Sequence, residues 1–130
     1  LVLGDNAGEV GLDVILAETL EAMGTRVTYA VRGKPILNDA TLEDARMVGL
    51  DQVCEVLPSG ADTPGTVLER CHPDFVTRLQ AAPLVLSKGQ GNFESLVDRL
   101  PGVYFAFKVK CQVVASRTGL PEGRSALLRP

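Results

Sequence analysis

The sequence predicts an α/β fold: a Rossmann-like doubly wound, mostly parallel sheet of about five or six strands with helices on both faces. Apolar runs of strand length recur at residues 1–3, 27–31, 53–57, 84–86 and 103–107. The runs are continuously apolar rather than alternating, as in strands buried on both faces. Helix-like segments separate them, as crossovers between parallel strands require.

The first run leads into a helix over 10–23, where Val10, Val14, Ile15, Leu16, Leu20 and Met23 form an apolar stripe and Gly24 supplies the stop. A second helix spans 41–48: Thr41 and Asp44 make a capping-box-like start, and Gly49 ends it. A third covers 66–79 with an interruption at Pro73, and a short fourth begins near Phe93. Residues 113–115 are a candidate short sixth strand, and the tail over 119–130 reads as mobile. Right-handed crossovers then give the strand order 3-2-1-4-5, with the order reversing between the first and fourth strands.

The 130 residues, 45% of them hydrophobic, suit one domain with a single core. Thirteen basic and 16 acidic residues are interspersed, and a net charge of -3 leaves no polybasic stripe for nucleic acid. No apolar run approaches the roughly 18 residues of a spanning helix. The expectation is a cytoplasmic protein with neither nucleic-acid nor membrane partners. Cys54, Cys71 and Cys111 are widely spaced and unpaired in pattern, so they read as reduced core thiols. His72, the one histidine, reads as structural. The chain opens with Leu1 inside an apolar run, as expected of a piece of a longer product.

Ligands of doubly wound sheets bind outside the carboxyl ends of the strands. There the sequence sets Gly4-Asp5-Asn6-Ala7-Gly8-Glu9 after the first strand and Asn38-Asp39-Ala40-Thr41 in the connection after the second. Ser87-Lys88-Gly89-Gln90-Gly91-Asn92 follows the fourth strand, and Lys108-Val109-Lys110 closes the fifth. The first loop lacks the glycine spacing of a dinucleotide site and carries an acid where a pyrophosphate would lie. Two carboxylates about 4 Å apart repel by roughly 4 kcal/mol at an effective dielectric of about 20. A divalent cation between Asp5 and Asp39 resolves that conflict. Magnesium suits a site with one or two carboxylates, the Asn6 amide oxygen, water and substrate phosphate.

Each piece also has a plainer reading. Asp and Asn after a strand are ordinary turn residues, and Asp39, read as an exposed loop carboxylate, can simply shape the turn before Thr41. The Lys88–Asn92 loop, with Gly89 and Gly91, is either an anion cradle or a connector. Lys108 and Lys110 share a strand face by the period of two, and Lys110 at the strand end is either a phosphate contact or a solvated lysine.

In the stretches GDNAGE, VRGKPILNDAT, SGADTPGT, SKGQGNFE and FKVKCQVVA the chain resembles the metal-dependent damage-control phosphatases, long catalogued as domain of unknown function 89, and their prokaryotic branch in particular. The resemblance covers most of the chain. It implies that Asp5, Asn6 and Asp39 bind Mg2+, Mn2+, Co2+ or Ni2+, and that Lys110, Lys88 and Asn92 hold a phosphoryl group. It also implies an N-terminal helical region that this chain lacks. The expected activity is hydrolysis of small phosphomonoesters, sugar phosphates or damaged phosphometabolites, with Asp5 as nucleophile or base and Lys110 neutralising charge. The alternatives are a non-catalytic sensor of a phosphometabolite and a carboxyl methyltransferase. Paired acids count against the first, and the glycine-poor opening loop against the second.

Overall fold

The structure is a computed structural model describing residues 1–130. Its elements follow in the order β1 (Val2–Leu3), α1 (Val10–Ala22), β2 (Thr28–Val31), α2 (Leu42–Met47), β3 (Glu55–Pro58), α3 (Pro73–Ala81), β4 (Leu86–Lys88), α4 (Gln90–Leu96), β5 (Tyr104–Lys108), α5 (Gln112–Thr118) and β6 (Ser125–Leu128). They build one six-stranded sheet ordered β3-β2-β1-β4-β5-β6. All pairs are parallel except β5 with β6, so the expected order holds for the first five strands.

The period of two divides the core. Val2, Tyr29 and Val31 point to one face, where Val10 and Ala17 of α1 and Ala45 of α2 cover them. Leu3 and Ala30 point to the other, under Phe75 and Leu79 of α3, Phe93 and Leu96 of α4, and Val114 and Ala115 of α5. Phe93 stacks on Phe107 at 4.5 Å and meets Phe105 edge-on at 5.3 Å, which fixes α4 over β5. Thr41 caps α2 in a complete capping box with Asp44. Pro73 occupies the first turn of α3, where its missing N–H costs nothing, so the expected long helix is a 3-10 turn at Leu68–Arg70 followed by α3. No helix is long and apolar enough to cross a membrane.

The structure differs from three further expectations. Residues 113–115 lie inside α5, with Val114 and Ala115 buried and Val113 76% exposed. A three-residue apolar run cannot by itself distinguish strand from helix. The sixth strand lies instead in the tail read as mobile: Ser125–Leu128 runs antiparallel along β5, from Lys108 opposite Ser125 to Phe105 opposite Leu128. The turn that returns it passes through Gly123 at φ +82°. The apolar stripe proposed for the first helix is also misaligned, since Ile15 is 60% and Met23 75% exposed. The helix is apolar on several sides, so its sequence does not point one face inward.

Candidate active site

β1 ends at Leu3, and the chain turns away over Tyr29. A side chain at Gly4 would collide with the Tyr29 ring, so only glycine passes there. Beyond it, the loops after β1 and β2 are tied by Ala40 N donating to Asp5 O at 2.7 Å and Ala7 N to Asn38 O at 2.8 Å. These bonds frame an isolated antiparallel bridge between Asn6 and Asp39. Facing residues of such a bridge project to the same side. The bridge sets Asn6 and Asp39 side by side at the carboxyl edge, and Asn6 Nδ2 ties in Asp5 by donating to its Oδ2 at 3.1 Å.

Asp39 is not the exposed loop carboxylate expected: it is buried, and Arg32 Nε, also buried, donates to its Oδ2 at 2.7 Å. The connection folds back across β2, so Arg32 N reaches Ala40 O at 2.8 Å and the two side chains meet. The rest of the guanidinium is engaged too, Nη1 with Thr66 Oγ1 at 3.2 Å and Nη2 with Asn92 Oδ1 at 3.1 Å. Asn92 accepts a second bond from Thr66 Oγ1 at 2.8 Å and donates to the carbonyls of Gly4 at 3.1 Å and Lys88 at 2.7 Å. Its hydrogen-bonding capacity is filled by the protein.

Burial raises the Asp5 pKa above the ordinary carboxylate range, and the charges of Asp39 and Glu9 add to the rise against Lys110 and Arg32. Gly89, at φ +85°, packs against that carboxylate, and a Cβ there would be driven into it. Gly91 lies beside Gly65, with a Cβ added at Gly91 only 3.4 Å from the Gly65 nitrogen. Lys88 Nζ donates to Asp13 Oδ1 at 2.7 Å and Oδ2 at 2.8 Å, and pairs with Glu9 Oε2 at 2.7 Å. Burial works to lower the Lys88 pKa, but Asp13 and Glu9 outweigh it and hold it above its ordinary value. Lys110 is exposed and outside every ion pair of the chain; its backbone N–H is held by Gln90 Oε1 at 2.7 Å. Lys110 acts electrostatically on both Asp5 and Glu9.

The donor set can be tested against a hard divalent cation. No three His, Cys, Asp or Glu side chains form a metal cluster. The carboxylate pair plus an amide is nevertheless a set that Mg2+ completes with water and phosphate oxygens. Asp5 Oδ2 accepts from Asn6, and Asp39 Oδ2 accepts from Arg32. The Oδ1 atoms of Asp5, Asn6 and Asp39 accept no hydrogen bond from the protein, and none is closed off from solvent. The residues fit the cation.

Arg32, Thr66, Glu9, Asp13 and Tyr29 join the expected residues. Arg32 had a visible signal, a charge directly after an apolar strand. Asp13 had none: it shares the buried face of α1 with Val10 and Ala17 at helical spacing, but the apolar residues of that helix do not mark which face is buried. Cys54 is buried and Cys71 half-buried; burial pushes both thiols up to about 11, and none of the three cysteines is paired. His72 precedes α3 with its ring against Gly60.

The family model described as the damage-control phosphatase ARMT1-like domain matches residues 1–126. An uncharacterized protein of Methanocaldococcus jannaschii is 39% identical over 99% of this chain and 44% of its own length. A damage-control phosphatase of Archaeoglobus fulgidus is 35% identical over 93% of this chain and 43% of its own, and one of Pyrococcus horikoshii 34% identical over 99% and 46%. The crystal structure of a DUF89 family protein from Pyrococcus horikoshii superposes with a TM-score of 0.93 at 33% identity, covering 98% of this chain and 46% of that one. The chain therefore spans less than half the length of these relatives.

Proposed function

Because the chain belongs to the damage-control phosphatase ARMT1-like domain family, we propose that it carries the metal-binding, phosphoryl-handling edge of a metal-dependent phosphatase acting on small phosphomonoesters. The observation that carries this reading is that Asp5, Asn6 and Asp39, linked by the Asn6–Asp39 bridge and the Asn6–Asp5 hydrogen bond, each keep a side-chain oxygen that the protein leaves without a donor. These residues would hold a divalent cation, Mg2+, Mn2+, Co2+ or Ni2+. When bound, it supplies Lewis-acid polarisation of a phosphoryl oxygen.

Charge balance supports the same assignment. Counted by formal charge, the four carboxylates of Asp5, Glu9, Asp13 and Asp39 against the three cations of Arg32, Lys88 and Lys110 leave one net negative charge. A dication turns that into one positive charge, which attracts a phosphate dianion. Lys110, unpaired and exposed, is the side chain free to neutralise charge on the transferring group. Asp5 faces the same space and acts as nucleophile or as base for an attacking water. Lys88 and Asn92 act beneath the site, holding Glu9, Asp13 and Arg32 in place. Gly89 and Gly91 allow the loop after β4 to lie close to Asp5 and Gly65.

A phosphate-release screen over sugar phosphates and phosphorylated cofactor precursors, with each of the four cations and with chelator, tests the proposal. Release that requires the cation supports it. No release with any cation points to a phosphometabolite sensor.

A further inference from the structure

The Asn6 amide has both N–H bonds directed at carboxylates: Nδ2 donates to Asp5 Oδ2 at 3.1 Å and to Glu9 Oε1 at 3.2 Å. Rotating the amide by half a turn would set its oxygen against those two acidic oxygens. The orientation that presents Asn6 Oδ1 to the cation site is therefore set by Asp5 and Glu9 together, and of the two Glu9 is the one anchored from the interior. Glu9 is held in turn by Lys88 through its other oxygen, Oε2, at 2.7 Å. Lys88 is anchored at depth by both oxygens of Asp13, and Tyr29 Oη donates to Asp13 Oδ2 at 2.5 Å.

These bonds form one continuous path from the interior of β2, through α1 and β4, to the loop after β1. Asp13 is 5% exposed and Tyr29 1% exposed, so neither can reach a substrate. A buried ionic cluster is a poor source of stability, since apolar residues of similar volume often do as well or better. Orientation of a ligand through outer hydrogen bonds is the role in which such clusters are effective.

We propose that the buried Tyr29–Asp13 pair is a positioning device for the metal site, acting through Lys88 and Glu9 to set the orientation of the Asn6 amide. The inference rests on the assignment of Asn6 as a cation ligand. Asp13 and Tyr29 are positioning residues, and the loss of either shows first in cation affinity.

The test is Mn2+ titration of the wild-type chain, Asp13→Asn and Tyr29→Phe by electron paramagnetic resonance, with side-chain amide NMR of Asn6 in the metal-free proteins. Outer-shell changes typically lower metal affinity about 10–100-fold. Asp13→Asn should fall in that range and Tyr29→Phe toward its lower end, with the Asn6 amide signals shifted in both. Any phosphatase activity lost should return at saturating Mn2+. Leu79→Ala, a core change on the opposite face, controls for general destabilisation and should keep wild-type Mn2+ affinity. If Asp13→Asn does not fold, Tyr29→Phe, which preserves the ring, decides alone. Unchanged affinity with unmoved Asn6 signals overturns the positioning role while leaving the cation site standing. Wild-type protein that binds no Mn2+ overturns both.

Discussion

At the carboxyl ends of the strands the chain buries Asp13, Arg32, Asp39 and Asn92 and gives each of them partners. The amino ends of the same sheet border a groove of about 740 Å³, lined by side chains such as Leu1, Leu16, Leu20, Leu84 and Leu86. One end is held by directional bonds, each needing its partner. The other combines apolar contact, much of it facing solvent, with exposed bonds such as those of Arg78 and Thr28 to Glu55. The residues proposed to hold a cation and a phosphoryl group lie at the opposite end from this groove. The difference sets how each end should respond to a single change.

The largest effect is expected at Arg32. Arg32→Ala leaves Asp39 buried without its counter-charge and deprives Asn92 and Thr66 of a shared partner. Breaking a buried pair from one side costs about 3–5 kcal/mol, readable by urea denaturation. A loss below about 1 kcal/mol, the range of exposed ion pairs, would mean that the carboxyl edge is no more rigid than the amino edge.

Alkaline titration probes the same contrast more gently. The Tyr29 pKa is raised by burial first and then by Asp13, and that of Lys88 is raised because its carboxylate partners outweigh burial. A group whose folded pKa lies above its unfolded value stabilises fully below the unfolded value and loses that contribution as pH rises toward the folded one. Stability should therefore decline above pH 10, the ordinary tyrosine value, and continue to fall past 10.5, the ordinary lysine value. Tyr29→Phe should flatten the first part of that decline, and an identical profile in the variant would remove Tyr29 from the linkage. The smallest effect belongs to the amino end: Leu84→Ser, at an exposed position on the groove, should change stability by no more than about 0.5 kcal/mol. A larger loss would show that the groove contributes to folding as the core does.

Much of the carboxyl edge was legible in the sequence. Asp5, Asn6 and Asp39 could be placed together because adjacent parallel strands bring their following loops to one edge. Arg32 could not be assigned a role, because its meaning depends on Thr66 and Asn92, which are 34 and 60 positions away. Asp13 was hidden by a helix apolar on several sides, so the face that turns inward, with Val10 and Ala17, is set by the sheet beneath it. The last strand was hidden by its length: Ser125–Leu128 is too short to declare itself, and pairing with β5 makes it a strand. Boundaries moved for the same reason, as with β4 at Leu86–Lys88 rather than residues 84–86.

The most direct test of the cation site uses Asp5→Asn. Burial and the neighbouring charges of Asp39 and Glu9 make the ionised Asp5 unfavourable in the folded chain, so an uncharged side chain of the same shape relieves a cost. Mn2+ binding, measured by isothermal titration calorimetry at pH 7, should be lost in Asp5→Asn while the urea midpoint stays level or rises. Retained Mn2+ affinity, or a variant destabilised in step with its loss of binding, would contradict the assignment of that site.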